Sequence, residues 1–154
     1  MSLDELTDFI EGLDGVLTLR PGPGDGSPEI SWGDLFFYYA PDGVLPKAQP
    51  FATIVTKDYP DDAGSKLDRP GVFRVNIAAG AAEFRTWTGH EPREPGAADL
   101  DPSTADVVIP HPVYRSLGWL SVVDPGPSTA DAVRGLLRTA HDLDRTRRER
   151  RSEA

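Results

Sequence analysis

Residues 35–40 read LFFYYA, and this aromatic run constrains the fold more than any other segment. Bulky aromatic side chains suit a pleated strand. Gly33-Asp34 before the run and Pro41-Asp42-Gly43 after it carry turn chemistry that confines it to strand length. Side chains alternate between the two faces of a strand, so one face carries Leu35, Phe37 and Tyr39 and the other Phe36 and Tyr38. Both sets are apolar. A chain that buries this run must cover a sheet on both sides, and this is expected to be its most buried strand.

The flanking sequence supplies one cover readily. Ser2 followed by Glu5 makes a capping box, and Leu3, Leu6, Phe9, Ile10 and Leu13 fall at helical spacing, which predicts a helix over 3–12 ended by Asp14 and Gly15. Near the other end Ser128 is expected to cap a helix with Asp131 in its first turn, and Val133, Leu136, Leu137, Ala140 and Leu143 line one face. Between them, strands are predicted at 16–20, 29–32, 51–57, 72–78 and 119–123, with a short extended piece at 107–109 and a turn of helix over 112–117. A short helix is spaced by Ala81, Phe84 and Trp87. Residues 21–28 (PGPGDGSP) and 89–106 hold too much Pro, Gly and Asp for regular structure, and the second stretch reads as a mobile loop. The fold class expected is α+β: an antiparallel sheet with the N- and C-terminal helices packed on one face. The other face of the sheet then needs the chain's own loops, a second subunit or a ligand.

At 154 residues the chain suits one domain with one core. Apolar periodicity ends at Asp144, so residues 1–144 are expected to form the domain and residues 145–154 (RTRRERRSEA) a basic, disordered tail. The tail carries five Arg against two Glu, which leaves 11 basic and 23 acidic residues in 1–144, a net −12. So acidic a body repels polyanions, and a nucleic-acid partner is not expected of it. The absence of cysteine excludes disulfides, thiolate metal sites and cysteine nucleophiles. The first residues, MSLDELTDFIEGL, are acidic where a signal peptide is basic, and no apolar run reaches membrane-spanning length, so a cytoplasmic protein without membrane association is expected.

No catalytic or cofactor motif survives inspection. Gly22, Gly24 and Gly26 lack the spacing of a phosphate loop and no helix follows them. Asp99, Asp101 and Ser103 begin like a calcium loop, but Thr104 stands where Gly is needed and Pro110 where Glu is needed. His90, Glu91 and Glu94 lie in a Pro-broken loop rather than on a helix that could align metal ligands. No serine occupies a nucleophile elbow. His141, beside Leu137 on the last helix, reads as a packing residue.

Two groups stand out. His111 lies between Pro110 and Pro112, which restrict its backbone, with Tyr114, Arg115 and Trp119 nearby; it suits acid–base work, a hydrogen bond to a ligand carbonyl, or fixing of the turn. Arg74 and Asn76 project from one face of a strand and could hold a carboxylate or amide, with Trp32, Tyr38 or Trp119 as an apolar wall. Lys57, Asp58 and Tyr59 end a neighbouring strand and could border the same cleft.

The stretches SPEISWGDLFFYYAPDG, QPFATIVTKDYP, RPGVFRVNIAAG and HPVYRSLGWLSVVDPG resemble a family of small actinobacterial proteins known only as a domain of unknown function, over about residues 4–143. An excess of Arg over Lys, 13 to 3, fits a GC-rich genome. In the order of its elements, and in the Gly118-Trp119-Leu120 strand before the last helix, the chain is also similar to the MmcQ/YjbR-like group. That second resemblance implies the same α+β fold, and it implies DNA binding, from which the acidic body departs.

Taken together, the residues point to a noncatalytic binding domain. Its aromatic sheet face would take a small, anionic molecule or a protein partner such as a second copy, through His111, Arg74, Asn76, Trp32, Tyr38 and Trp119, with no cofactor. A small biosynthetic enzyme of isomerase or cyclase type, with His111 as acid or base, is the alternative; weak nucleic-acid binding through the basic tail is a third.

Overall fold

The computed structural model describes residues 1–94 and 100–153. The capping box forms as expected: the Ser2 hydroxyl accepts from the Glu5 amide at 3.1 Å, and the Glu5 carboxylate accepts from the Ser2 amide at 3.3 Å. Helix α1 (Leu3–Glu11) follows and buries Leu6 and Ile10 completely. Then come strands β1 (Val16–Leu19), β2 (Leu35–Tyr39), β3 (Ala52–Val55) and β4 (Arg74–Ala78), helix α2 (Gly80–Thr88), strands β5 (Ile109–Pro110) and β6 (Trp119–Val123), and helix α3 (Ala130–Glu153). The six strands form one open antiparallel sheet in the order β1-β2-β3-β4-β6-β5.

One face of this sheet is the main core. Leu35 and Phe37 of β2, Ile54 of β3, Val75 and Ile77 of β4, and Leu120 and Val122 of β6 meet Leu6 and Ile10 of α1 and Val133, Leu136, Leu137 and Ala140 of α3. Each fully buried large aliphatic or aromatic side chain there contributes roughly 1.5–3 kcal/mol, which fixes which face of every strand points inward. The α+β expectation, with both terminal helices on one face, holds. His141 of α3 belongs to this side: its ring stands edge-on to Tyr39 and Phe51, and Nε2 meets the Asp14 carbonyl at 2.5 Å.

The opposite face divides in two. At one end Val55 and Val123 pack with Leu67, Tyr59 and Val72, so the connection between β3 and β4 folds back over the sheet. Asp34 anchors the start of that connection: it is fully buried and accepts from the Thr56 amide and hydroxyl, the Lys57 ammonium and the Tyr59 hydroxyl. That last bond, together with burial, pushes the Tyr59 phenol above its ordinary range, burial being the larger cause. The rest of the face, between β2 and β6, stays open.

Several sequence expectations are corrected. Residues 29–32 make a 3-10 turn (Glu29–Ser31), not a strand: the Ser31 amide and hydroxyl both donate to the Pro28 carbonyl, and the exposed Ile30 offers no burial to favour a ladder instead. The most buried strand is β6, buried at all five positions, whereas Phe36 of β2 is only half-buried; β2 lies beside the edge strand β1 and under the open part of the face. The cap of α3 comes from a distant loop, since the Asp106 carboxylate accepts from the Gly126, Ser128 and Thr129 amides and the Thr129 hydroxyl. These bonds, the Thr129 hydroxyl first, lower the Asp106 carboxyl to about 2. Of the loop expected over 89–106, residues 95–99 lie outside the described residues.

Past Asp144 the chain continues as the last turns of α3, and Arg148 donates to the Tyr39 carbonyl and the Asp42 carboxylate. These contacts are partly solvated, and such pairs contribute about 1 kcal/mol or less. Truncation after Asp144 is therefore expected to leave residues 1–144 folded, with urea-unfolding stability reduced by about 1 kcal/mol or less; a truncated chain without a cooperative transition would show that residues 145–154 belong to the domain.

Candidate functional site

The open part of the second sheet face is a cavity of about 480 Å³. Alternation along the strands decides its floor: Phe36 and Tyr38 of β2, Thr53 and Val55 of β3, Arg74 and Asn76 of β4, and Trp119 of β6 all point away from the helices. Register sets Thr53 opposite Asn76 and Asn76 opposite Ser121, so three polar side chains cross three strands in one row. Asn76 Oδ1 accepts from the Ser121 hydroxyl at 2.8 Å, and its Nδ2 donates to the Thr53 hydroxyl at 3.0 Å.

Arg74 lies two residues from Asn76 on β4, in the next row, opposite Val55 and Val123, and is 1% exposed. Its guanidinium is held on three sides. Nε donates to Asn76 Oδ1 at 2.8 Å; Nη1 donates to Asp62 Oδ1 and to the Ser65 hydroxyl, each at 3.0 Å; Nη2 donates to Asp62 Oδ2 at 2.5 Å. The carboxylate thus receives the fork in bidentate fashion. Burial alone would raise the Asp62 carboxyl, but the hydrogen bonds and charge of Arg74 outweigh it and hold the group below its ordinary value.

His111 closes one wall. Its backbone amide donates to the Trp119 carbonyl at 3.0 Å, extending the β5–β6 ladder, and the prolines on either side restrict its backbone. Gly118, at φ +82, makes the return to β6 possible: a Cβ there would stand 3.2 Å from the Gly80 carbonyl carbon. The His111 Nδ1 lies 3.0 Å from both the Val113 and the Tyr114 amide nitrogens. Two N–H groups aimed at one ring nitrogen require its lone pair, so Nδ1 is unprotonated and the neutral ring carries its proton on Nε2. The imidazole is pushed down to about 3, by burial first and then by the Arg74 charge, with Asp62 pulling the other way. Nε2 lies 3.4 Å from Arg74 Nη2.

The structure therefore brings His111, Arg74, Asn76, Tyr38 and Trp119 to one cavity. Trp32 is not among the residues of its wall; its indole N–H donates to the Ser27 hydroxyl, because the 3-10 turn that replaced the expected strand aims it at the preceding loop. Tyr59 borders the cavity, whereas Lys57 is drawn away to Asp34 and the Trp32 carbonyl, and Asp58 binds the Leu67 amide within its loop. Sequence reading missed Asp62, Ser65, Thr53 and Ser121. Ser121 and Thr53 could have been found by following the alternation of Trp119 and Val55 along their strands; Asp62, in a loop among other acids, carries no such signal. Of the weaker motifs, His90 is bound to the Glu91 carbonyl, Glu91 is paired with Arg85, and Asp99 lies outside the described residues.

Chemically the site offers N–H donors from Arg74 and His111 in an aromatic pocket, beside the carboxylates of Asp61 and Asp62, and the free-base lone pair of His111 is already occupied by two amides. The exposed Tyr114 and Leu117 stand at its mouth.

A family model described as a family of unknown function (DUF6194) matches residues 1–153, and the chain belongs to that family. No curated protein and no solved structure matches it.

The assigned state of His111 has a direct consequence. Long-range proton–nitrogen spectra are expected to show the Nε2–H tautomer unchanged from pH 8 to pH 5, against an ordinary histidine that titrates near 6.5. Since the unfolded chain takes up this proton at about 6.5 and the native one only at about 3, His111 stabilises the fold fully above 6.5, and that contribution is lost as pH falls from about 6.5 to about 3. A ring that titrates near 6.5 in the folded protein contradicts the assignment.

Proposed function

We propose that this member of a family of unknown function is a noncatalytic binding domain whose ligand is a small molecule held on the second face of the sheet. The observation that carries the reading is the cavity itself: about 480 Å³, floored by aromatic strand residues, with the fixed polar cluster of Arg74, Asn76 and His111 at one end. Ligand sites typically measure about 300–1,000 Å³ and combine apolar walls with a few well-placed polar groups. Tyr38 and Trp119 supply walls, His111 and Arg74 supply donors, and Asn76 serves to position Arg74. The small anionic molecule suggested by Arg74 and Asn76 is one ligand class to be tried.

A catalytic role for His111 as general base is disfavoured, because both amides at Nδ1 would have to be displaced before it could take a proton. A homodimer is the second reading, favoured by the exposed Ile30, Tyr114 and Leu117 around the mouth. Nucleic-acid binding through the C-terminal end of α3 is weakened by pairing of Arg145 with Asp142, Arg147 with Asp144 and Arg148 with Asp42. The reading includes a cytoplasmic location, an actinobacterial source and a fold of MmcQ/YjbR-like type; the last two are supported by the four quoted stretches and by the shared order of helix, antiparallel strands and closing helix.

A fragment library screened by thermal shift and protein-observed NMR tests the proposal. A ligand at about 100 times its Kd adds about 2.7 kcal/mol, which raises Tm by about 5–10 °C in a domain of this size. Stabilising compounds are expected to shift amides of β4, β6 and residues 111–119. A library without hits, hits that map to another surface, or a dimer that closes the cavity mouth in sedimentation analysis would overturn it.

A further inference from the structure

Resting on the binding reading above, the proposal here concerns the charge and chemistry of the ligand. Arg74 carries five N–H bonds. Nε uses one on Asn76, Nη1 uses two on Asp62 and Ser65, and Nη2 uses one on Asp62. One N–H of Nη2 remains, on the side where His111 Nε2 lies 3.4 Å away. That nitrogen cannot accept it, because the amides of Val113 and Tyr114 claim the lone pair of Nδ1 and so leave the ring proton on Nε2. Two buried donors therefore face each other, and among the described residues these two N–H groups have no acceptor. Buried donors left in this way are destabilising, and a single acceptor oxygen entering from the cavity satisfies both.

Charge selects among acceptor oxygens. Asp62 already neutralises Arg74 through two hydrogen bonds, His111 is uncharged, and Asp61 adds a further carboxylate to the cavity lining. A ligand carboxylate would meet two acids and no unmatched cation; a carbonyl oxygen brings no charge with it. Aromatic rings of Tyr38, Tyr114 and Trp119 line the cavity, and the Tyr114 and Trp119 rings lie beside His111, with centroids 4.9 and 6.3 Å from its own. We propose that the site takes a neutral aromatic or heteroaromatic carbonyl compound, such as an amide or lactam, with its oxygen bridging Arg74 Nη2 and His111 Nε2. This departs from the anionic ligand that Arg74 suggests in the sequence, because Asp62 has taken up its charge.

Titration of the full chain at pH 7 with indole-3-carboxamide, indole-3-carboxylate and indole tests the proposal, read by calorimetry and by NMR. The carboxamide is expected to bind about tenfold more tightly than either of the others, the worth of satisfying buried donors without adding charge. In the wild-type protein its binding should move the His111 Nε2–H proton downfield, and His111→Phe should bring the three affinities within about threefold of each other. The downfield shift needs no variant, so it decides the matter even if His111→Phe fails to fold. A carboxylate that binds as tightly as the carboxamide, or a carboxamide that leaves the Nε2–H proton unmoved, overturns the inference while leaving a small-molecule site in place. If none of the three binds, the inference falls, and the fragment screen decides separately whether the cavity is a ligand site at all.

Discussion

A guanidinium sealed under a loop sets the terms for the rest of this protein. Arg74 sits on a central strand, 1% exposed, and its charge is tolerable there only because Asp62 meets it with both oxygens while Ser65 and Asn76 take further N–H bonds. Removing one member of such a buried pair costs about 3–5 kcal/mol, against a total stability of about 5–15 kcal/mol for an ordinary domain. The pair also does something a hydrophobic contact could not do: it pins the connection between β3 and β4 at a definite place over the sheet. On the far side of that pin, Leu67 and Tyr59 pack on Val55 and Val123, and Asp34 holds the strand end.

From this arrangement the open cavity follows. The helices α1 and α3 use up one face of the sheet, and the pinned loop uses up one end of the other, which leaves the half-buried Phe36 and the buried Tyr38 and Trp119 lining a hollow. Backbone interactions fix the third wall as firmly as the pair fixes the second, since His111 is held by its own amide on Trp119 and by two amides on Nδ1. A polar cluster whose members are oriented before any ligand arrives loses little entropy on binding, which is the physical advantage of preorganisation.

Much of this was legible in the sequence. The alternation of LFFYYA gave a strand with two apolar faces, the RVNIA strand put Arg74 and Asn76 on the same side, and the Ser2–Glu5 box with the heptad-like spacing of α3 placed both helices. What could not be read was long-range. Asp62 lies in a polar loop and Asp106 in another, and nothing local distinguishes either from the other acids of the chain; only the fold brings one to Arg74 and the other to the start of α3. The mistaken strand at Trp32 has the same origin. Pattern favoured extension, but Ser31 found a nearer partner in the Pro28 carbonyl, and the indole turned from the sheet toward Ser27. Residues that act through partners far along the chain escape sequence reading, whereas those placed by alternation on their own strand, the overlooked Thr53 and Ser121 included, are within its reach.

Asp62, Ser65 and Asn76 lock Arg74, with one N–H left facing His111 and the cavity. Nitrogen-15 NMR of the guanidinium tests this arrangement most directly, in the unmodified protein. A locked group gives separate, slowly exchanging Nη1 and Nη2 signals and a protected Nε–H, and one Nη2 proton alone exchanges faster than the other three. A single averaged Nη signal, the mark of a guanidinium rotating freely about its Cζ–Nε bond, would contradict the account.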